Sequence, residues 1–329
     1  MIGLEPSFYD RKRFSIVLRK PRLIHTKYNT MGLIYNIAIS TYPRKFMDNQ
    51  KLIYIDNLKA IGIILVVIGH IFPRHNIDVI YLFHMPLFFM LSGFLFKPQD
   101  INSYNLKKAK RILIPFLITI LAINAFVNIV FYNISFHDTF KGFSKFLYGG
   151  EKLKGDFGAF WFATTLFFTL TIFNWMIKNL KLSMVVILLV ALYGVAYAVQ
   201  FSAPSFRMPL GLNICLYTLP LIGIGWYLSS NIKTFKIIAF LGFALFIIYL
   251  IHPSSFGSVD LKLASYGIPF ASTIIAVFFF YSLIVICKKI PSNNLITFIG
   301  NASLTIMFTH QWFHFQSENI GISNPFLLT

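Results

Sequence analysis

Within one apolar stretch, Tyr54-Ile-Asp56-Asn57-Leu58-Lys59 running on to Ile-Gly69-His70, a lysine and a histidine stand eleven residues apart. On an α-helix that spacing leaves them about 20° apart around the axis and roughly 16 Å apart along it, so they share a face. Asp56 falls near the same face. Ionisable groups in apolar segments are costly and tend to be kept for a purpose. One reading has an Asp56/Lys59 pair at one end of a cavity and the His70 imidazole at membrane depth. The other has Lys59 snorkelling to the headgroups and His70 capping a helix that Pro73 ends. The next apolar stretch carries Phe83-His84-Met85-Pro86-Leu87-Phe88-Phe89-Met90-Leu91-Ser92-Gly93-Phe94. A connection of only about five residues separates the two stretches, which brings His84 near His70. Two charged rings side by side repel, so at least one is neutral, the form a general base needs. Pro86 is expected to interrupt a helix ladder, and Ser92-Gly93 to allow close approach of a neighbouring helix.

A third feature is basic. Lys107-Lys108-Ala109-Lys110-Arg111 leads into Ile-Leu-Ile-Pro115. Cytoplasmic loops are enriched in lysine and arginine, and that rule alone accounts for the run. A functional reading makes Lys108 and Arg111 a phosphate site for an anionic cofactor such as coenzyme A.

The elements that must position these groups follow from hydropathy. The chain is 57% hydrophobic and 12% charged with a mean hydropathy of +0.69, which excludes an ordinary soluble domain. Apolar windows recur at roughly 58–73, 79–96, 112–132, 160–177, 182–199, 212–229, 235–251, 270–287 and 295–313. Each can form a helix across a hydrocarbon core about 30 Å thick, and strand alternation is absent. The fold class is therefore an all-α integral membrane protein, a bundle of about nine to ten transmembrane helices. Every even window is followed by lysines, among them Lys97, Lys178, Lys181, Lys233, Lys236, Lys288 and Lys289, which puts those loops and the N-terminus in the cytoplasm. The net charge of +18 is thus a topology signal, not a nucleic-acid surface. The loop at about 133–158, with Gly149-Gly150, lies on the outer side as a partly ordered excursion that could cover a substrate.

Residues 1–46 are expected to be a disordered or over-extended N-terminal segment, because the apolar piece Met31 to Ala38 is too short to span. Met47 opens the domain, which runs over 47–329. Cys215 and Cys287 sit in apolar windows without histidine or cysteine at ligand spacing, so neither a disulfide nor a metal site is expected.

Taken in order, Asp56-Asn57-Leu58-Lys59, the Lys59-to-His70 spacing, Phe83-His84-Met85-Pro86-Leu87-Phe88-Phe89 with Ser92-Gly93-Phe94, and the basic pair before Ile-Leu-Ile-Pro115 resemble the acyltransferase-3 family. The branch they are most similar to is that of fucose 4-O-acetylases and related polysaccharide O-acetyltransferases. Trp161-Phe162, and Gly300-Asn301-Ala302-Ser303-Leu304 running to His310, are similar to later landmarks, and the likeness covers about residues 50–313. It implies about ten transmembrane helices, and the Lys-, Asn-, Ile- and Phe-rich composition, which suits an AT-rich bacterial genome, points to the cytoplasmic membrane of a bacterium. They would move an acyl group, usually acetyl, from cytoplasmic acyl-CoA to a hydroxyl of a cell-envelope glycan or lipid-linked sugar. By this resemblance His70 is the essential histidine, acting as general base or as transient acyl carrier. His84 is its companion, and Lys59, Lys108 and Arg111 bind the cofactor. Lys108 stands where the family more often has arginine, which keeps the charge and loses the bidentate fork. A transporter or flippase would use the same intramembrane histidine without covalent chemistry.

Overall fold

The computed structural model describes residues 49–72, 74–126, 148–232, 235–291 and 293–319. The expected extension at 1–46 lies outside the described residues, as do the end of the third apolar window and most of the loop before residue 148. Each of the nine windows contains a helix. In chain order these are α1 (Asn49–Ile71), α2 (Arg74–Tyr81), α3 (His84–Phe94), α4 (Ile101–Lys108), α5 (Ile114–Phe126), α6 (Trp161–Asn179), α7 (Leu182–Ser202), α8 (Leu212–Ser230), α9 (Phe235–Ile251), α10 (Ala271–Cys287), α11 (Asn294–Asn301) and α12 (Ser303–Asn319). Four stretches, Ile53–Ile71, Gly155–Asn179, Leu182–Ser202 and Pro209–Ser230, are long and apolar enough to cross a membrane, and Asp78–Phe94, Phe235–Ile251 and Ala271–Cys287 are shorter apolar segments.

The polarity of the bundle is reversed relative to a soluble protein. Ile237 and Phe240 of α9 are 80% and 75% exposed and Val190 of α7 is 68% exposed, whereas Asn57, Thr165, Thr169, Asn174 and Thr218 are fully buried. Apolar side chains gain nothing by leaving lipid, so packing rests on small residues and interhelical hydrogen bonds. The Thr169 and Thr218 hydroxyls meet at 2.8 Å between α6 and α8. The Asn57 amide donates to the Ile290 carbonyl at 3.3 Å, tying the start of α1 to the segment after α10. Glycines set the closest crossings. A Cβ on Gly93 of α3 would strike the Ile222 carbonyl of α8, and one on Gly225 of α8 would strike the Met90 carbonyl of α3. The close approach expected at Ser92-Gly93 is this crossing.

Three local expectations are corrected. The second window is two helices, because the connection after His70 itself coils into α2, whose 74–81 run is amphipathic and short. Pro86 does not interrupt a ladder: α3 starts at His84, so Pro86 lies in the first turn, where an N–H has no intrahelical partner to lose. The last window is also broken, into α11 and α12, at Ala302.

The basic run occupies a distinct element. Asp100 caps α4 by accepting from the Ser103 amide at 3.1 Å, and Lys107 and Lys108 fill the last turn of that helix. Pro115 cannot donate to the Arg111 carbonyl. The ladder widens to a π turn over Ala109–Leu113 before α5 begins, with the Ile114 amide bonded back to Ala109. At the opposite end of the bundle a hairpin, β1 (Val259–Asp260) and β2 (Ser265–Tyr266), pairs antiparallel. The Tyr197 hydroxyl holds it at the Tyr266 carbonyl (3.1 Å), and Gln200 both donates to Gly267 (3.1 Å) and accepts from the Tyr266 amide (2.6 Å).

Candidate active site

His70 stands in the last turn of α1 and His84 opens α3. The corner between them is fixed by the Tyr81 hydroxyl, which donates to the Gly69 carbonyl at 2.8 Å, and by the Tyr81 ring, set edge-on to His84 at 5.0 Å. His84 donates through Nδ1 to the Ile80 carbonyl at 2.7 Å, which sets its tautomer and turns Nε2 away from the backbone. Both histidines line one cavity of about 190 Å³, together with Tyr81, Trp161, Asp260 and Lys262. The proximity expected from the short connection is therefore present.

The sequence reading missed the far wall. His310 and Gln311 of α12 meet His70 directly: the two imidazole rings are 5.0 Å apart at a 40° tilt, and the Gln311 amide nitrogen lies 3.2 Å from His70 Nδ1 and 3.4 Å from Nε2. A stack of Phe308 on Phe160, 5.0 Å between centroids and nearly parallel, holds α12 in place. Gly158 lies under Gln311, where a Cβ would collide with the amide oxygen. The cue available in sequence was the one that drew attention to His70, a polar pair inside an apolar window. Asp260 and Lys262 had no such cue, since they lie in a hairpin between windows. Lys262 is anchored by donating to the Leu153 carbonyl at 2.7 Å.

The three expected cofactor residues stand elsewhere. Lys59 pairs with Asp56 at 2.8 Å, as its spacing predicts. Gly300 of α11 packs on the Asp56 carbonyl at that level of α1, while Gln311 of α12 packs at the level of His70, so α1 and the α11–α12 pair run side by side in the same direction. Lys108 lies over the Tyr104 ring at 5.2 Å, half-buried, and Arg111 follows on the π turn. Burial, then the charges of Arg111 and Lys107, pull the Lys108 ammonium down to about 8. Among the described residues no carboxylate pairs with Lys108, Lys110 or Arg111. A half-buried lysine flanked by exposed cations, without a carboxylate partner among the described residues, fits an anionic group such as a phosphate.

Residues 52–327 match the acyltransferase domain of a family of that kind. The chain belongs to the acyltransferase-3 family. No curated protein and no solved structure matches it. Membership of the acyltransferase-3 family supports acyl transfer by a membrane enzyme that draws on acyl-CoA.

Proposed function

We propose that the protein is a membrane-bound O-acetyltransferase of the polysaccharide-modifying branch, moving acetyl from cytoplasmic acetyl-CoA to a hydroxyl of a cell-envelope or exported glycan. In this reading residues 47–329 form the acyltransferase domain, a bundle of nine to ten transmembrane helices in a bacterial cytoplasmic membrane. The N-terminus is cytoplasmic and 1–46 are an extension. The observation that carries it is the cavity shared by His70 and His84 inside the matched domain. Acetyl-CoA supplies the thioester carbonyl carbon as electrophile. His70 takes the proton of the acceptor hydroxyl as the new ester bond forms and gives it to the departing thiolate. His84 orients the acceptor across the cavity, with the Trp161 and Tyr81 rings and the polar ends of Asp260 and Lys262 offering the stacking and hydrogen bonds a sugar ring uses. Lys108 and Arg111, with Lys59 beside Asp56, hold phosphate at the cytoplasmic end.

Deleting the protein in its host and weighing glycan repeat units before and after mild alkali tests this reading. Loss of an alkali-labile acetyl mass, restored by the wild-type chain, is expected; unchanged acetylation with an altered amount of exported glycan would instead establish the transporter reading.

A pH dependence follows from Lys108. Its ammonium is charged below about pH 8 and neutral above, so its attraction for phosphate is present on the acid side and lost as pH rises through that value. A charged hydrogen bond contributes about 1.5–3 kcal/mol, so KM for acetyl-CoA is expected to rise about 10- to 100-fold above pH 8. Lys108→Arg stays charged and should flatten the profile; an identical rise in that variant would remove Lys108 from the cofactor site.

A further inference from the structure

One buried group takes no part in the mechanism above. His310 is 8% exposed. Its Nδ1 donates to the Ile306 carbonyl at 3.0 Å, so the proton is on Nδ1 and the lone pair on Nε2. That Nε2 is buried and has no hydrogen-bond partner. Buried polar atoms are rarely left so, and one that is needs an explanation. The ring beside it is His70, 5.0 Å away centroid to centroid. At that separation a turn of either imidazole can set Nε2 against a His70 nitrogen, and catalytic hydrogen bonds often tighten when substrate arrives.

We propose that His310 is the positioning partner of His70: its Nε2 accepts the N–H of the His70 imidazolium that forms when the acceptor hydroxyl gives up its proton. This rests on the acyl-transfer reading and completes it. As the ester C–O bond forms and the thioester C–S bond breaks, the hydroxyl proton moves to one His70 nitrogen. The other nitrogen keeps its own proton, directed at His310. The proton then passes from His70 to the thiolate, so neither histidine is consumed. His310 does the work a carboxylate does behind a catalytic histidine, without placing a full negative charge inside the bundle. The titratable groups around the pair are His84 from α3, Lys262 and Asp260 from the hairpin, Tyr81 from α2 and His314 one turn along α12.

The experiment compares His310→Gln, which offers an acceptor oxygen, with His310→Leu, which offers bulk alone, in membranes supplied with labelled acetyl-CoA and glycan from the deletion strain. Initial rates are taken across pH 5.5 to 9. With His310→Leu, kcat is expected to fall about 100-fold or more with KM for acetyl-CoA unchanged, and the loss of rate toward acid should set in at lower pH. His310→Gln should retain an intermediate rate and a profile nearer wild type. Equal rates and superimposable profiles for the two variants, whatever their level, would overturn the role of His310 while leaving acyl transfer intact. Absence of transfer by the wild-type chain would overturn the acyl-transfer reading itself, and this assignment with it.

Discussion

Membranes carrying His70→Gln are expected to transfer acetyl about 100- to 10,000-fold more slowly than wild type, with KM for acetyl-CoA little changed. Glutamine fills most of the imidazole volume and can still touch Gln311, so the cavity keeps its walls. It cannot take a proton from a hydroxyl, and the loss falls on kcat. KM is spared because Lys108, at the end of α4, and Arg111, on the π turn, are not among the residues that line the cavity. His84→Gln separates the two histidines. Since its Nδ1 is already committed to the Ile80 carbonyl, His84 acts through one nitrogen only, and its loss should raise KM for the glycan more than it lowers kcat. The check is a two-substrate rate analysis of both variants. A His70→Gln enzyme with wild-type kcat would mean that the hydroxyl proton leaves by another route.

The second large effect is structural. Gly93→Ala and Gly225→Ala each place a methyl group against a backbone carbonyl of the partner helix, Ile222 in one case and Met90 in the other. Backbone cannot turn aside as a side chain can, so α3 and α8 must separate along the whole crossing. Overpacking of this kind costs about 1–3 kcal/mol per site. Because α3 begins with His84, the separation also moves the cavity. Both variants should melt at lower temperature in detergent and lose activity in proportion to the folded fraction. Gly194→Ala on α7, where among the described residues a Cβ meets no neighbouring element within 4 Å, is the control and should behave as wild type. Wild-type melting of the Gly225 variant would show that the crossing is looser than described.

Much of this was legible in the sequence because lipid simplifies the problem. Hydropathy located a helix within each of the nine apolar windows, since a segment in hydrocarbon has no other way to satisfy its backbone. His70, His84 and the Asp56–Lys59 pair were legible because charge stands out against an apolar background. The extra breaks were not: the coil of α2, the step at Ala302 and the π turn at Ala109–Leu113 depend on which carbonyls find donors, and hydropathy does not register that. His310 and Gln311 were in view as part of a familiar run of residues. Their role was hidden because contact across 241 positions between His70 and Gln311 is set by the parallel course of α1 and α12, which no local spacing encodes. Asp260 and Lys262 were the least visible, being ordinary loop residues until the hairpin carries them over the cavity.

The seat of Gln311 on Gly158 carries a consequence for how such enzymes can diverge. Loops over an active cavity can usually be exchanged to suit a new acceptor while the helices beneath keep the chemistry. Here the exchange has one constrained position. A Cβ at 158 would press on the Gln311 amide oxygen, so a graft that remodels this loop keeps Gln311 undisturbed against the His70 ring only if it carries a glycine at that point. Residue 158 is thus the place to look first when a loop chimera folds, inserts and does nothing.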